Sequence, residues 1–204
     1  MMKVAILGHG TVGSGVAEVL TSHAESIARR AKEEIEIQYI LDIRDFPDSP
    51  LHDRFTKDFN QILQDPEVKI VAEVMGGLHP AFDYVKACLE NGITVGLGTD
   101  TGCPYVTQYD MWREVNYFHK FCGVSNAFAL HTATQVNAEI AGLGDVTGTI
   151  EAGKDADFVV TADNPLENLQ ALRNISMVVT RGRIYDNPKV KKLEQVEREL
   201  DKFV

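Results

Sequence analysis

The feature that most constrains the fold of this chain is an apolar run closed by a glycine-rich turn, "KVAILGHGTVG" over 3–13. A continuous apolar run bounded by glycine is typical of a strand buried on both faces of a parallel sheet. Apolar residues at helical spacing follow and predict a single helix over 11–31, and "IEIQYILD" (35–42) predicts a second strand. The chain therefore opens as a strand, helix and strand unit with a right-handed connection.

The alternation of strands and helices continues for another fifty residues. "VKIVAEVMGG" (68–77) predicts a third strand, and "HPAFDYVKACLENG" (79–92) predicts an amphipathic helix ended by a glycine. "ITVGLG" (93–98) predicts a fourth strand. This order is that of an α/β protein with a doubly wound, Rossmann-like parallel sheet and helices on both faces.

The pattern changes after the predicted fourth strand. Two successive helices are predicted, then two β-rich stretches with turn-like "EAGK" and "TRGR", and then a charged amphipathic helix over 188–204. We therefore expect the sheet to be extended by a helical and β-hairpin carboxyl-terminal segment. The predicted domains are 1–92 and 93–204, packed as one continuous α/β domain.

The turn itself, "GHGTVG", is G-x-G-x-x-G, and it follows a buried strand and opens a helix. In that context Gly8 allows the tight turn, Gly10 lets the backbone approach a pyrophosphate, and Gly13 allows close packing of helix against strand. The backbone amides around Thr11 and Val12 would face the anion along the helix dipole. The pattern predicts a dinucleotide site in the first half of the chain; a glycine turn that only packs is the alternative.

Charged residues after the second strand leave the cofactor open between NAD and NADP. The carboxylate of Asp42 ends that strand, where it can accept hydrogen bonds from ribose hydroxyls and would repel a 2′-phosphate. Arg44 and Lys57 follow, and either cation could neutralise such a phosphate. Solvated loop charges are an equally good interpretation of both.

Four segments in order, "KVAILGHGTVGSGVAEVL", "YILDIRD", "KIVAEVMGG" and "AFDYVKACLENG", resemble the nucleotide-binding domain of homoserine dehydrogenase over residues 2–92. The resemblance implies cofactor contacts from the glycine loop and from the ends of the next two strands: Gly8, Gly10, Thr11, Val12, Gly13, Asp42 or Arg44, Met75, Gly76 and Gly77. In that family a threonine-serine-asparagine-lysine-like segment follows, and then a substrate domain that carries the acidic catalytic residues. Neither appears in this sequence.

The second half resembles a different family. "GITVGLGTDTG" and the ordered run "GTIEAGKDAD" are similar to the last barrel strand and the following segments of the amidohydrolase superfamily, over residues 92–187. The resemblance implies that Asp100 is a metal ligand or the base acting on a metal-bound water. A hydrolytic metal site needs several converging ligands, and the sequence contains no H-x-H pair. We therefore predict no metal site, with Asp100 an orphaned ligand, and ordinary structural roles for the histidines.

Composition and charge limit the classes of binding partner and the cellular location that we expect. The net charge of −10 disfavours nucleic acid, because affinity for it depends on neutralising phosphates. No apolar run reaches the ~20 residues that span a bilayer. The chain enters a strand at once, without a leader, so we expect a cytoplasmic protein. The three cysteines are widely spaced and are expected to be reduced thiols.

The leading hypothesis is an NAD(P)-binding chimera without catalytic turnover. The alternatives are a homoserine-dehydrogenase-like oxidoreductase, a metal-dependent amidohydrolase, and a structural protein with no ligand. The one catalytic candidate is Asp100, with His119 or Lys120 as remote possibilities. The carboxyl-terminal strands lack the partner segment of their family, so we also predict self-association through residues 157–185 or the last helix.

Overall fold

The computed structural model describes residues 1–75, 79–99, 101–102 and 104–204. The chain divides into two compact units, Met1–Val95 and Gly96–Val204, here called unit 1 and unit 2. Unit 1 contains a parallel sheet with helices and unit 2 a separate antiparallel sheet, so the predicted α/β class is confirmed. Among the described residues no helix is long and apolar enough to cross a membrane.

Unit 1 is a four-stranded parallel sheet with the strand order β3-β2-β1-β4. Its elements in chain order are β1 (Met2–Leu7), α1 (Thr11–Ser22), α2 (Ala24–Ala31), β2 (Ile35–Leu41), a 3₁₀ turn (His52–Arg54), β3 (Phe55–Thr56), α3 (Phe59–Gln64), β4 (Val68–Glu73) and α4 (Ala81–Glu90). Chain order reverses at β1, and the crevice at the carboxyl ends of strands flanking such a reversal is where open α/β sheets bind ligands.

The two faces of this sheet bury separate apolar clusters, as the continuous apolar run of β1 predicts. Ala5 and Leu7 point into one cluster and Ile6 into the other. The first cluster is completed by residues of the sheet, α3 and α4: Leu41, Phe59, Ile62, Val68 and Cys88. The second is completed by Ala17 of α1 with Ile37 and Ile40 of β2. Burying each large side chain contributes roughly 1.5–3 kcal/mol to the stability of the folded state. Because β1 supplies residues to both clusters, it contributes strongly to the stability of unit 1.

The predicted helix over 11–31 is interrupted. His23 has the non-helical angles φ −115° and ψ 19° and separates α1 from α2. Just before it, Thr21 Oγ1 donates to Ala17 O (2.9 Å) and Ser22 Oγ donates to Glu18 O (2.6 Å). Hydroxyl bonds to carbonyls one turn back tend to bend helices, which accounts for a break at this point.

Unit 2 is helical in its first half and ends in the antiparallel sheet β5-β6-β7. Its elements are α5 (Met111–Cys122), α6 (Asn126–His131), a π-helical turn (Thr132–Val136), α7 (Asn137–Ile140), β5 (Phe158–Thr161), a 3₁₀ turn (Leu169–Arg173), β6 (Ile175–Thr180), β7 (Arg183–Asp186), α8 (Glu194–Leu200) and a 3₁₀ turn (Asp201–Phe203). The predicted hairpin is confirmed: β6 and β7 are joined by Arg181 (φ 47°) and Gly182 (φ 76°), the two left-handed residues that tight hairpins prefer.

The fourth strand predicted over 93–98 is not formed, since residues 93–99, all described, have no strand pairing. Instead, the side chain of Asn137 forms hydrogen bonds with both the N–H and the C=O of Leu97. Leu97 N donates to Asn137 Oδ1 and Asn137 Nδ2 donates to Leu97 O, each at 2.8 Å. An amide side chain therefore replaces the neighbouring strand as hydrogen-bond partner.

The last helix is shorter than predicted. Its regular part, α8, begins at Glu194, and residues 188–193 precede it as coil rather than as helix. Leu193 is extended (φ −91°, ψ 95°), and its N–H donates to Tyr109 Oη at 2.8 Å. That bond to Tyr109, two residues before α5, holds the backbone outside the helical region and fixes where α8 starts.

Candidate functional site

The glycine loop between β1 and α1 has a geometry that only glycine satisfies at two positions. Gly8 has φ +100°, and a Cβ there would lie 2.8 Å from Met75 Cγ. A Cβ on Gly13 would lie 1.9 Å from Gly8 O. The N–H of Gly8 donates to Leu41 O at 2.8 Å, which ties the loop to the end of β2. Gly8 thus makes the turn, and Gly13 lets α1 approach β1.

Gly10 is different, because the space beside it is open. It is the N-cap of α1 with φ −80° and ψ −159°, and a Cβ built there meets no other heavy atom within 4 Å. The first amides of the helix, at Thr11, Val12 and Gly13, have no acceptor inside the helix and lie at the positive end of its dipole. This end of α1 can therefore accept an anion close to the backbone.

Asp42, immediately after β2, is held in a dense hydrogen-bond arrangement with Arg44. Its Oδ1 accepts from Arg44 N (2.9 Å) and Nε (3.0 Å), and its Oδ2 accepts from Arg44 Nη2 (2.9 Å) and His9 N (2.8 Å). Arg44 Nη2 also donates to His9 O at 2.9 Å. A carboxylate has about four acceptor sites, so those of Asp42 are all engaged.

This arrangement fixes the charges at the site. Hydrogen bonds from the Arg44 side chain, joined by the backbone N–H groups of Arg44 and His9, hold the pKa of Asp42 well below its usual range despite partial burial. The same carboxylate raises the pKa of Arg44. The Asp42 side chain is 7% exposed and the Arg44 side chain 58%. The Arg44 guanidinium therefore faces the cleft as an exposed cation, and the Asp42 carboxylate lies buried behind it.

His9, the residue between the first two glycines, packs into an aromatic cluster beside this pair. Its ring meets Phe46 and Phe55 edge-on, with centroids 4.8 and 4.9 Å away, while the two phenyl rings stack on each other at 4.8 Å. The Arg44 guanidinium lies 5.1 Å from the Phe46 ring. The motif alone does not reveal this role, because the position is variable in G-x-G-x-x-G.

These groups line one cleft at the carboxyl ends of the unit 1 strands. Its cavity of about 330 Å³ is bounded by Gly8, His9, Gly10, Leu41, Asp42, Ile43, Arg44, Lys57, Val74, Met75, Pro80 and Tyr84. A second cavity of about 310 Å³ shares Asp42, Arg44 and Lys57 and extends toward Phe46 and Phe55. Pro80 and Tyr84 were missed from the sequence, since they belong to the loop and helix after β4.

The remaining cofactor candidates are only partly described. Met75 lines the cleft, and its N–H donates to Glu73 Oε1 at 2.6 Å. Gly76 and Gly77, predicted to complete this turn, lie outside the described residues. Lys57 also reaches the cleft but pairs with Asp45 at 2.7 Å, so its charge is partly compensated.

The predicted catalytic residue of the second half, Asp100, also lies outside the described residues. The two remote candidates in α5 are engaged by backbone carbonyls: His119 Nδ1 is 2.6 Å from Val124 O, and Lys120 Nζ donates to Phe203 O at 2.7 Å. Within the described part of the chain, no three His, Cys, Asp or Glu side chains are grouped so that they could hold a metal ion. The described residues therefore do not provide the ligand set of a hydrolytic metal site.

Comparison with known proteins bears on both halves of the sequence. The model of the amidohydrolase family matches residues 12–185. The chain belongs to the amidohydrolase family. One curated relative is imidazolonepropionase from Thermoplasma acidophilum. It is 31% identical over 110 residues, which are 52% of the chain and 27% of that protein.

Homoserine dehydrogenase from Pseudomonas aeruginosa is also similar, with 39% identity over 96 residues, which are 45% of the chain and 21% of that enzyme. A crystal structure from Bifidobacterium longum, provisionally assigned as a prolidase, is 38% identical with a TM-score of 0.58, and the match covers 60% of the chain and 30% of that structure. The chain thus spans about a fifth to a quarter of the curated relatives. Both resemblances found in the sequence are confirmed, as expected of a chimeric protein.

Proposed function

We propose that unit 1 binds a nicotinamide dinucleotide in the cleft beside Gly10 and that the chain does not turn over a substrate. The observation that carries the proposal is the open space beside the Gly10 backbone at the amino-terminal end of α1. A pyrophosphate needs this close backbone approach and the unpaired amides of a first helical turn. The residues present therefore fit the group. When bound, the nicotinamide ring would supply hydride transfer.

The Asp42–Arg44 pair supports NADP over NAD. Every acceptor site of Asp42 is already occupied, so the carboxylate has none left for ribose hydroxyls unless Arg44 moves. The guanidinium itself is largely exposed and carries further donors that can face a 2′-phosphate. Lys57 adds a second cation to the same cleft.

The limited extent of the match to the dehydrogenase supports a chain without turnover. The aligned stretch is 21% of the dehydrogenase from Pseudomonas aeruginosa, so most of a dehydrogenase has no counterpart in the alignment. The one acidic group lining the cleft, among the described residues, is Asp42. Its depressed pKa makes it a poor proton acceptor near neutral pH.

Calorimetric titration with NADP⁺ and NAD⁺ tests binding. We expect saturable binding of both, tighter for NADP⁺, and loss of both in Gly10→Val. An Arg44→Ala variant should weaken NADP⁺ by roughly 10- to 100-fold, the effect of losing charge-assisted hydrogen bonds. It should leave NAD⁺ equal or tighter, because Asp42 recovers its acceptor sites. No binding of either dinucleotide to the parent chain would refute the proposal.

A turnover assay with homoserine and either cofactor separates the oxidoreductase alternative. Reduced cofactor formed by the parent chain and abolished in Gly10→Val would show a working dehydrogenase and overturn the second part of the proposal. Metal analysis of the purified protein, together with hydrolysis assays, addresses the hydrolase alternative suggested by the family match.

A further inference from the structure

The carboxyl-terminal part of unit 2 lies along α5 and is joined to it by a row of polar contacts. We call residues 193–204 the terminal segment. The contacts follow the same order along both elements: Leu193 N donates to Tyr109 Oη (2.8 Å), Glu197 Oε2 lies 3.3 Å from Arg113 Nη2, Leu200 O accepts from Tyr117 Oη (3.4 Å), and Phe203 O accepts from Lys120 Nζ (2.7 Å). The terminal segment is therefore docked along most of α5.

The centre of this contact is a buried group of charges. Arg113 is 3% exposed; its Nη2 lies 2.8 Å from Asp201 Oδ1, and its Nε donates to Asp110 Oδ1 at 3.1 Å. Arg173 reaches the same two acids of the terminal segment, at 3.1 Å from Asp201 and 3.8 Å from Glu197. Glu197 and Asp201 therefore join the terminal segment to two cations of unit 2.

Apolar burial contributes little to this docking. An amphipathic helix ordinarily packs by an apolar stripe, yet Leu193 is 55% exposed and Phe203 59%. Val196 and Leu200 are half-buried, and the one fully buried side chain of the terminal segment is the charged Glu197. Attraction between buried charges is opposed by their desolvation, so it gives less net free energy than apolar burial. The docked state therefore depends on the charges of the two acids.

The connection before the terminal segment leaves it free to move. Residues 188–193 are coil, and 189–193 are exposed at every position. Within the described chain, no backbone–backbone hydrogen bond is made by residues 188–192. Segments with few buried apolar contacts and an exposed connection open at lower free energy than the core of a domain. The terminal segment can therefore leave α5 while the strands of unit 2 stay paired.

We propose that the terminal segment is a strap that detaches from α5 when Glu197 and Asp201 lose their charges, while the rest of unit 2 stays folded. Detachment frees the two guanidinium groups that stack on Trp112: the guanidinium carbons of Arg113 and Arg173 lie 4.5 and 4.6 Å from its ring centroid. This proposal concerns unit 2 alone and does not depend on dinucleotide binding.

The charged groups around the two acids determine the direction of the pH response. Arg113 and Asp110 face them from α5 and its N-cap, Arg173 from the 3₁₀ turn, and Lys192 from the coil. Desolvation opposes the effect, but contacts from Arg113 and Arg173 lower the pKa of Asp201 from its ordinary value of 3.8. The ionised carboxylate therefore favours docking above pH 3.8, and this contribution is lost as the pH falls below that value.

Hydrogen exchange of the full chain at neutral pH tests the strap, because Gln and Asn reproduce the uncharged acids there. In Glu197→Gln/Asp201→Asn, amides of residues 197–203 should exchange about tenfold faster or more, with α5 and β5–β7 unchanged. The matched control, Glu194→Gln/Glu199→Gln, removes two charges of the same helix away from Arg113 and should exchange like the parent.

Each other outcome of this experiment overturns the proposal. Parent-like protection in Glu197→Gln/Asp201→Asn would show that charge does not hold the terminal segment. The same acceleration in the control would show that the contacts with Arg113 and Arg173 are not what matters. Faster exchange throughout unit 2 would show that the terminal segment is an integral part of the fold and not a strap.

Tryptophan fluorescence gives an independent measurement, because Trp112 is the single tryptophan of the chain. In the parent, its emission should change as the pH falls below 3.8, before the circular dichroism of the whole chain is lost. Glu197→Gln/Asp201→Asn should show the changed emission already at neutral pH. Parent-like emission in that variant, or an acid change that coincides with unfolding of the whole chain, would refute detachment.

Discussion

Three glycines of the first βα unit should respond to substitution in three different ways. Gly10, Gly13 and Gly15 lie within six residues of one another, and each becomes alanine with the same added methyl group. A Cβ meets nothing within 4 Å at Gly10 and Gly15, but would lie 1.9 Å from Gly8 O at Gly13. Stability and ligand binding should therefore separate along the series.

The magnitudes follow from these surroundings. Gly13→Ala forces two backbone segments apart, and overpacking of this kind costs about 1–3 kcal/mol or more, against about 1 kcal/mol gained in helix propensity. Gly15→Ala gains helix propensity without a steric clash, so it should stabilise unit 1 by roughly 0.5–1 kcal/mol. Gly10→Ala keeps an ordinary backbone conformation but replaces an N-cap glycine by alanine, so it should cost about 0.5–1 kcal/mol.

Only Gly10 should control the ligand. Its Cβ points into the space where a pyrophosphate would sit, so Gly10→Ala should weaken NADP⁺ at least tenfold and Gly10→Val should abolish measurable binding. Denaturant unfolding measures stability, and calorimetry measures binding. Equal affinity in the parent, Gly10→Val and Gly15→Ala chains would place the dinucleotide elsewhere. A Gly10→Ala chain destabilised as strongly as Gly13→Ala, or an undisturbed Gly13→Ala, would refute the loop geometry.

Three further changes test other parts of the chain. Because Arg44 lowers the pKa of Asp42, the ionised carboxylate stabilises the folded state fully at pH values above its ordinary pKa of 3.8, and this stabilisation is lost as the pH falls below that value. In Arg44→Ala, stability should therefore decrease less steeply with falling pH, as acid unfolding followed by circular dichroism would measure. Burial raises the pKa of Cys88 from 9.0 to about 11, so the native state holds the proton more tightly and stability should fall by roughly 2–3 kcal/mol as pH rises through this interval, an effect absent in Cys88→Ser. Asn137→Ala removes both bonds to Leu97 and should cost about 1–3 kcal/mol of unit 2 stability in urea titration.

Local patterns predicted unit 1 better than unit 2. The apolar run of β1 and its glycine turn depend on neighbours in sequence, and both are formed as predicted. The two-residue strand β3 was not predicted, because Phe55 and Thr56 gain strand geometry only by pairing with Ile40 and Leu41 of β2. The unpaired stretch over 93–99 depends likewise on a side chain forty residues later.

The same limit applies to the candidate site. The sequence places Asp42 and Arg44 two residues apart and leaves them as rival determinants of cofactor choice. The structure joins them, because a turn after β2 brings the guanidinium back onto the carboxylate and the His9 backbone. In unit 2, Arg113 and Glu197 form a buried pair, with 3.3 Å between Nη2 and Oε2, and periodicity alone does not predict it.

Where the two family resemblances meet, the end of α4 is fixed by its own residues. Gly92 has φ +73°; its N–H donates to Leu89 O at 3.1 Å, and the N–H of Ile93 donates to Cys88 O at 2.9 Å. These are the two bonds of a Schellman cap, and Ile93 also packs on the core cluster that contains Cys88. Because the cap needs nothing beyond residue 93, α4 can end correctly whatever sequence follows. Replacing Gly92 by Val, which disfavours positive φ, should therefore destabilise unit 1 by about 1–2 kcal/mol while leaving unit 2 unchanged, as hydrogen exchange would resolve.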